Sequence, residues 1–323
     1  MFFIRIVLLT SSYPLDYLTK FVALRSQNSD IKLLLGLGGE DQGKEIFPTL
    51  GNLTTSRGMY IDNVKAVVDQ YSLDGIDFDW QYPGHQEDWI STDRLNYINY
   101  LSGFRATLGS SKIISVSVAA RPQDITQSYN VPAMIELVDF INLKTYNMRG
   151  TPTNENSITA FHSPLYKRSS EILPESEWNV QAIVDNWNRE AGVDISEKLI
   201  IGVATFGRSF SLVNAANAGV GAPSIGIGNH GVVLPPFSRF KGILAYREIC
   251  RGIKNSAWTN TYDYEQAVSF AVFDDQWVGY DSIRSAINKI EYVSDKQLGG
   301  VNYIRLELED YGKNIIFLNL LNG

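Results

Sequence analysis

Residues 73–84 read LDGIDFDWQYPG, and this stretch decides how the rest of the chain is read. Extended backbone sends successive side chains to opposite faces. Asp77, Asp79 and Gln81 then share one face, and Ile76, Phe78 and Trp80 share the other. Two acids and an amide pointing into one space fit a reaction centre at the C-terminal end of a barrel strand, where the catalytic groups of such folds gather. The same alternation fits a buried hydrogen-bond network. It also fits an edge strand whose polar face meets water. On these residues alone the three readings stay open.

Working outward, short apolar runs recur at 3–10, 31–37, 113–119, 140–146, 199–206 and 300–306, besides the run at 75–81. Between them lie amphipathic stretches. One spans 57–70, with Tyr60, Val64, Val67 and Val68 at helical spacing, and another 180–191, with Ile183, Val184 and Trp187. Strands alternating with helices imply parallel strands with helices packed outside them. A (β/α)8 barrel and a doubly wound sheet both fit, but no GxGxxG follows a strand, which weakens the second. The alternation breaks between 208 and 284. There 219–233 (GVGAPSIGIGNHGVV) is loop-like and 262–281 mixes strand-like runs with turns. The expected organisation is a TIM barrel built from 1–207 and 285–323, with a small α+β insertion, 208–284, before the last strand.

The chain has 323 residues, 44% apolar and 20% charged, so a sizeable core can be buried. A net charge of −7 argues against nucleic acid or an anionic membrane as partner, since both call for a basic face. Cys250 is the single cysteine, so no disulfide can close within the chain. The three histidines, His85, His162 and His230, show no metal-ligand spacing, and neither metal nor cofactor is expected. No run approaches the roughly 18 apolar residues that span a bilayer. Asn52-Leu53-Thr54 is a single glycosylation sequon.

The segment DGIDFDWQYP resembles the DGxDxDWE signature of glycoside hydrolase family 18, the chitinases and chitinase-like lectins, and departs from it only at Gln81. The resemblance continues in order along nearly the whole chain. LGLGG (35–39) is similar to the family's SxGG, LKTYN (143–147) to MxYD and FGRSF (206–210) to YGRSF; 277–301 and EDYG (309–312) resemble the end of the insertion and the last strand. What the resemblance implies is a (β/α)8 barrel binding N-acetylglucosamine polymers at the strand C-termini. In active members a glutamic acid protonates the glycosidic oxygen and the substrate's own acetamide is the nucleophile, outside the usual two-carboxylate scheme. Asp79 matches the aspartate that orients the acetamide, Asp77 the buried acid behind it, and Tyr146 the tyrosine that bonds the acetamide carbonyl. Gly39, Tyr82, Lys144, Phe206, Arg208 and Ile304 are the further candidate ligand-binding positions.

Six positions depart from the family pattern, and they carry the functional expectation. Gln81 stands where the proton donor belongs, and Asn147 replaces the aspartate after the tyrosine. Ile304 and Glu40 replace tryptophans that stack on sugar, Lys144 the methionine of MxYD and Gly36 the serine of SxGG. An amide cannot donate a proton near neutral pH. The expectation is therefore a catalytically inactive protein that binds chitin oligosaccharides or related N-acetylated glycans. The alternatives are a weak chitinase using another acid, such as Glu87, or a structural or signalling protein with a closed cleft. Lys144 is expected to pair with Asp77 or Asp79, because an unpaired buried ammonium costs several kcal/mol. The family's first strand finds no counterpart, so the sequence is expected to be incomplete at its N-terminus or its barrel open; secretion follows from the resemblance alone.

Overall fold

The computed structural model describes residues 2–7, 16–40, 43–84, 92–151, 157–228, 238, 240–255 and 257–310. The chain divides into two compact units, 1–143 with 186–199, and 144–185 with 200–323.

The first unit is built on five parallel strands, β1 (Phe2–Val7), β2 (Ile31–Gly38), β3 (Gly75–Asp79), β4 (Ile113–Val118) and β5 (Phe140–Leu143), each hydrogen-bonded to the next. Its helices are α1 (Asp16–Val22), α2 (Gly43–Gly51), α3 (Thr54–Gln70), α4 (Asp93–Leu108), α5 (Pro122–Ser128) and α6 (Val131–Ile135). Every residue of β3 is buried, as in a parallel sheet covered on both faces. Ile76, Phe78 and Trp80 are fully buried. Phe78 and Trp80 meet an aromatic layer supplied by Phe47 of α2 and by Tyr97, Tyr100 and Phe104, which recur at helical spacing along α4. Phe78 lies 4.8 Å from Phe47 and 5.2 Å from Tyr97, ring centre to ring centre. Such contacts contribute about 0.5–1.5 kcal/mol each beyond area burial. The core therefore takes the apolar half of β3, which leaves Asp77 and Asp79 on the opposite face.

The second unit contributes α7 (Val180–Ala191), which continues into the 186–199 segment, and the parallel pair β6 (Leu199–Ala204) and β13 (Gly300–Ile304). Between these two in sequence lie β7 (Phe206–Leu212), β8 (Ser224–Ile227), β9 (Ile243–Ala245), α8 (Tyr246–Lys254), β10 (Thr259–Asp263), β11 (Val268–Phe273), β12 (Gln276–Tyr280) and α9 (Ile283–Asp295). Strands β10, β11, β12, β7 and β8 form an antiparallel sheet in that order, with β9 also paired to β7. Its core stacks Trp277 on Phe270 at 5.4 Å and packs both beside Phe161 and Phe210. A fully buried ion pair, Lys289 with Asp281 at 2.7 Å, ties α9 to the end of β12.

All seven apolar runs expected to be strands are strands, and β2 runs one residue past its run, to Gly38. β3 stops at Asp79, β5 at Leu143, and the run at 199–206 breaks at Thr205. Residues 8–10 of the first run lie outside the described residues. The helix expected at 57–70 begins earlier, at Thr54. One reading is corrected: 219–233, taken as loop, contains strand β8. Pairing with β7 supplies the order that its glycine-rich composition hides.

Candidate active site

Two groups of side chains are assembled, one in each unit. In the first, Asp77 is 1% exposed, and its carboxylate accepts three neutral hydrogen bonds. Ser115 Oγ donates at 2.7 Å, Ser117 Oγ at 2.8 Å and Asn142 Nδ2 at 2.9 Å. The serines alternate along β4, whose Ser115 lies opposite Asp77 in the ladder. Asp77 is thus held inside a buried network rather than reaching for ligand. At Asp77 this strand face forms the buried hydrogen-bond network that its alternation allows.

Asp79, also buried, ends β3. Its backbone carbonyl accepts from Gly39 N–H at 2.8 Å. The approach depends on Gly38, whose φ is +91° and whose added Cβ would lie 2.4 Å from the Asp79 carbonyl oxygen. This is the structural content of LGLGG: its glycines let the end of β2 close against the end of β3. Gly36, opposite Asp77 in the ladder, is buried, whereas Glu40 just beyond the motif is exposed.

Gln81 lies two residues past the end of β3, half-buried, and its Nε2 donates to Asp79 Oδ2 at 3.3 Å. The segment Gln81–Gly84 is anchored at its far end. Gly84 N–H donates to Asp93 Oδ2 at 3.1 Å, and Gln127 Nε2 donates to the Gly84 carbonyl at 2.8 Å. Burial raises the Asp93 carboxyl above its ordinary range, against the lowering effect of the Gly84 N–H. Tyr97, beneath this face, is held protonated by burial and then by the charges of Asp77 and Asp79. Tyr82 is half-buried beside Gln81. Glu87 and Trp89 lie outside the described residues.

The second unit gathers Tyr146, Asn147, Phe206, Arg208 and Ile304. Tyr146 meets Phe206 edge-on at 6.3 Å, and Ile304 packs with both around Ala204, Ala245 and Leu308. Asn147 has φ +60°, a left-handed conformation that asparagine tolerates better than most residues. Its Oδ1 accepts from Arg208 Nε at 2.8 Å, and its N–H donates to His162 Nδ1 at 3.4 Å. Gly150, φ +73°, lets the same turn pass within reach of Arg208; a Cβ there would lie 2.8 Å from the Arg208 Cβ. His162 is fully buried and stacked on Phe206 at 5.3 Å. Burial first, then the charges of Arg208 and Lys289, hold its imidazole well below the ordinary value. It is therefore neutral, with Nδ1 free of a proton to accept the Asn147 N–H. Ser163 Oγ donates to the Thr145 carbonyl at 2.6 Å and fixes the segment just before Tyr146. Lys144 is half-buried directly after β5.

Sequence reasoning missed Ser115, Ser117 and Asn142, which hold Asp77, and His162, which holds the Asn147 turn. Of the tryptophans, Trp80, Trp187 and Trp277 are core, and Trp178 lies against the Arg149 guanidinium at 4.5 Å. Trp277 lies in strand β12. Among the described residues no three His, Cys, Asp or Glu side chains gather as a metal site would require. No helix among them is long and apolar enough to cross a membrane.

The family model for glycosyl hydrolases family 18 matches residues 7–304. The chain belongs to this family. Within it, the chain is 32% identical over 291 residues to human chitinase-3-like protein 2, covering 90% of this chain and 72% of that one. It is also 32% identical over 297 residues to mouse chitotriosidase-1, covering 90% of this chain and 61% of that one. Among solved structures, human YKL-39, described as a pseudo-chitinase with retained chitooligosaccharide binding properties, superposes with a TM-score of 0.84. The identity is 28%, and the match covers 95% of this chain and 82% of that one. The parallel strands and their helices are thus those of the family 18 fold, a (β/α)8-type barrel. Relatives in this family include chitinases and chitinase-like proteins, so membership alone leaves activity open.

Proposed function

We propose that this family 18 chain binds chitin oligosaccharides and does not hydrolyse them. The observation that carries the reading is the Gln81 carboxamide, which occupies the proton-donor position of the family motif and donates to Asp79 at 3.3 Å. An amide can bond a glycosidic oxygen but cannot protonate it. General acid catalysis is worth about 10²–10⁴-fold, and a sugar alkoxide leaves poorly without it. The neutral Asn147 at a second carboxylate position, and Ile304 and Glu40 at stacking positions, point the same way. What remains suits binding: Asp79 and Gln81 in the first unit, Tyr146, Phe206 and Arg208 in the second, with Asp77 as buried support. The likeness to a pseudo-chitinase that retains chitooligosaccharide binding supports the same reading. In this reading 1–207 and 285–323 form the barrel, 208–284 its insertion, and the protein is secreted.

The test is calorimetric titration of the whole chain with chitotetraose and chitohexaose, alongside a fluorogenic chitobioside assay. Saturable heat with no turnover is expected. No heat at millimolar ligand removes the binding half of the reading, and turnover at the rate of an evolved enzyme removes the other half.

A further inference from the structure

We propose that Asn52 is an acceptor for N-linked glycosylation, carried on the turn between α2 and α3. Asn52-Leu53-Thr54 is the one Asn-x-Ser/Thr sequon of the sequence, and its middle residue is not proline. A sequon is useful only where a bulky oligosaccharide can stand in solvent. Here α2 ends at Gly51 and α3 begins at Thr54, so the three residues span the tip of a helix–helix turn, and all three are exposed.

The orientation of the carboxamide adds an independent observation. Asn52 Oδ1 accepts from Thr92 Oγ1 at 3.1 Å and from Asn96 Nδ2 at 2.9 Å, both at the start of α4. These two donors fix the oxygen toward α4. In a planar amide that leaves Nδ2, the atom that would be modified, on the side away from them.

The chemistry is compatible with the fold before and after transfer. The donor is a lipid pyrophosphate-linked oligosaccharide. Nδ2 forms a bond to C1 of the reducing-end sugar as the C1–O bond to pyrophosphate breaks. The lipid pyrophosphate leaves with the electron pair, and Nδ2 gives up one of its two protons. The product amide keeps its carbonyl oxygen, so the bonds from Thr92 and Asn96 persist in the glycosylated protein. The attached sugars would also stand over two exposed leucines, Leu53 at 57% and Leu95, the neighbour of Asn96, at 62%. Covering exposed apolar surface lowers the risk of association. The inference does not rest on the chitin-binding reading.

The experiment is expression of the full chain behind a cleavable secretion leader in cultured animal cells, followed by intact-mass and peptide analysis before and after peptide N-glycosidase F. The expected result is one glycosylated site, with aspartate left at position 52 after enzyme treatment. Thr54→Ala should abolish the glycan and Thr54→Ser should keep it, while neither touches the Asn52 hydrogen bonds, so thermal melts of both should match wild type. Chain recovered inside the cells is analysed in the same way with endoglycosidase H. A folded wild-type protein with bare Asn52, or a glycan that survives Thr54→Ala, overturns the proposal.

Discussion

Arg208 Nε donates to Asn147 Oδ1 at 2.8 Å, so a nearly buried guanidinium is met here by a neutral amide. A charged acceptor would make a stronger bond, because ion-assisted hydrogen bonds are about twice as strong as neutral ones. Asn147→Asp keeps the shape and, like asparagine, tolerates a positive φ. The variant should gain about 1 kcal/mol of stability in urea unfolding, the difference between a bond of about 1 and one of about 2 kcal/mol. A loss of stability would mean that desolvating the new carboxylate outweighs the pairing.

Asp77 should behave as a structural acceptor. Asp77→Ala leaves Ser115, Ser117 and Asn142 without their acceptor in a buried space. Each unsatisfied buried donor costs about 1–3 kcal/mol, and Ser115 Oγ keeps the Ile76 carbonyl within 3.4 Å, so a destabilisation of about 2–3 kcal/mol is expected. Ser117→Ala removes one donor and should cost about 1 kcal/mol. Denaturant midpoints of the two variants check the ranking. Equal effects would mean that the network does not act through Asp77.

His162 predicts an acid-side loss of stability. Its folded-state pKa is depressed by burial and by the Arg208 and Lys289 charges. In the unfolded chain a histidine titrates near about 6.5. Above that pH both states are neutral and the residue contributes no pH dependence. Below it the unfolded chain takes up a proton that the folded chain refuses. Stability then falls by up to about 1.4 kcal/mol per pH unit until the folded-state pKa is reached. Over that range the folded imidazole stays neutral and keeps accepting the Asn147 N–H, so the turn carrying Tyr146 should stay in place. Urea unfolding of wild type and His162→Gln at several pH values between about 7.5 and 5 tests this. The variant should show the flatter profile, and parallel profiles would assign the acid sensitivity to other groups.

The strands were legible because each is a short apolar run set between helical patterns, and the polar face of β3 was legible because its alternation is strict. Strand ends were not, because β3 and β5 stop where ladder partners stop, not where the composition changes. Ser115 and Ser117 are visible as alternating hydroxyls in an apolar run, but only the β3–β4 register aims them at Asp77. His162 and Asn147 are 15 residues apart with no helix or strand among the described residues between them, so no periodicity could have joined them. Strand β8 was hidden because glycine content argues for a loop locally, while pairing with β7 is a tertiary fact.

Returning the glutamate alone should not return chitinase activity. In Gln81→Glu the donation to Asp79 is replaced by two carboxyl groups in contact, one of them nearly fully buried. Like charges that close cannot both ionise easily, so the pair should hold a proton at higher pH than either carboxyl alone. The variant therefore supplies a protonated acid, which is what the missing step needs. It does not change Asn147, which stays an amide committed to Arg208. Nor does it change Ile304, an aliphatic side chain packed against the cluster that holds Phe206, with no flat face on which a sugar ring can rest. Without those groups a bound sugar lacks the contacts that would hold its acetamide against the anomeric carbon, and misplacing reacting atoms by about 1 Å can cost about 10²-fold. The single variant should stay within about tenfold of background in a chitobioside assay, a barrier difference of about 1.4 kcal/mol. Adding Asn147→Asp, Lys144→Met and Ile304→Trp to it should raise turnover further. If Gln81→Glu alone cleaves chitobiosides at the rate of an evolved enzyme, one amide was the whole lesion, and the other departures from the family pattern are tolerated variation.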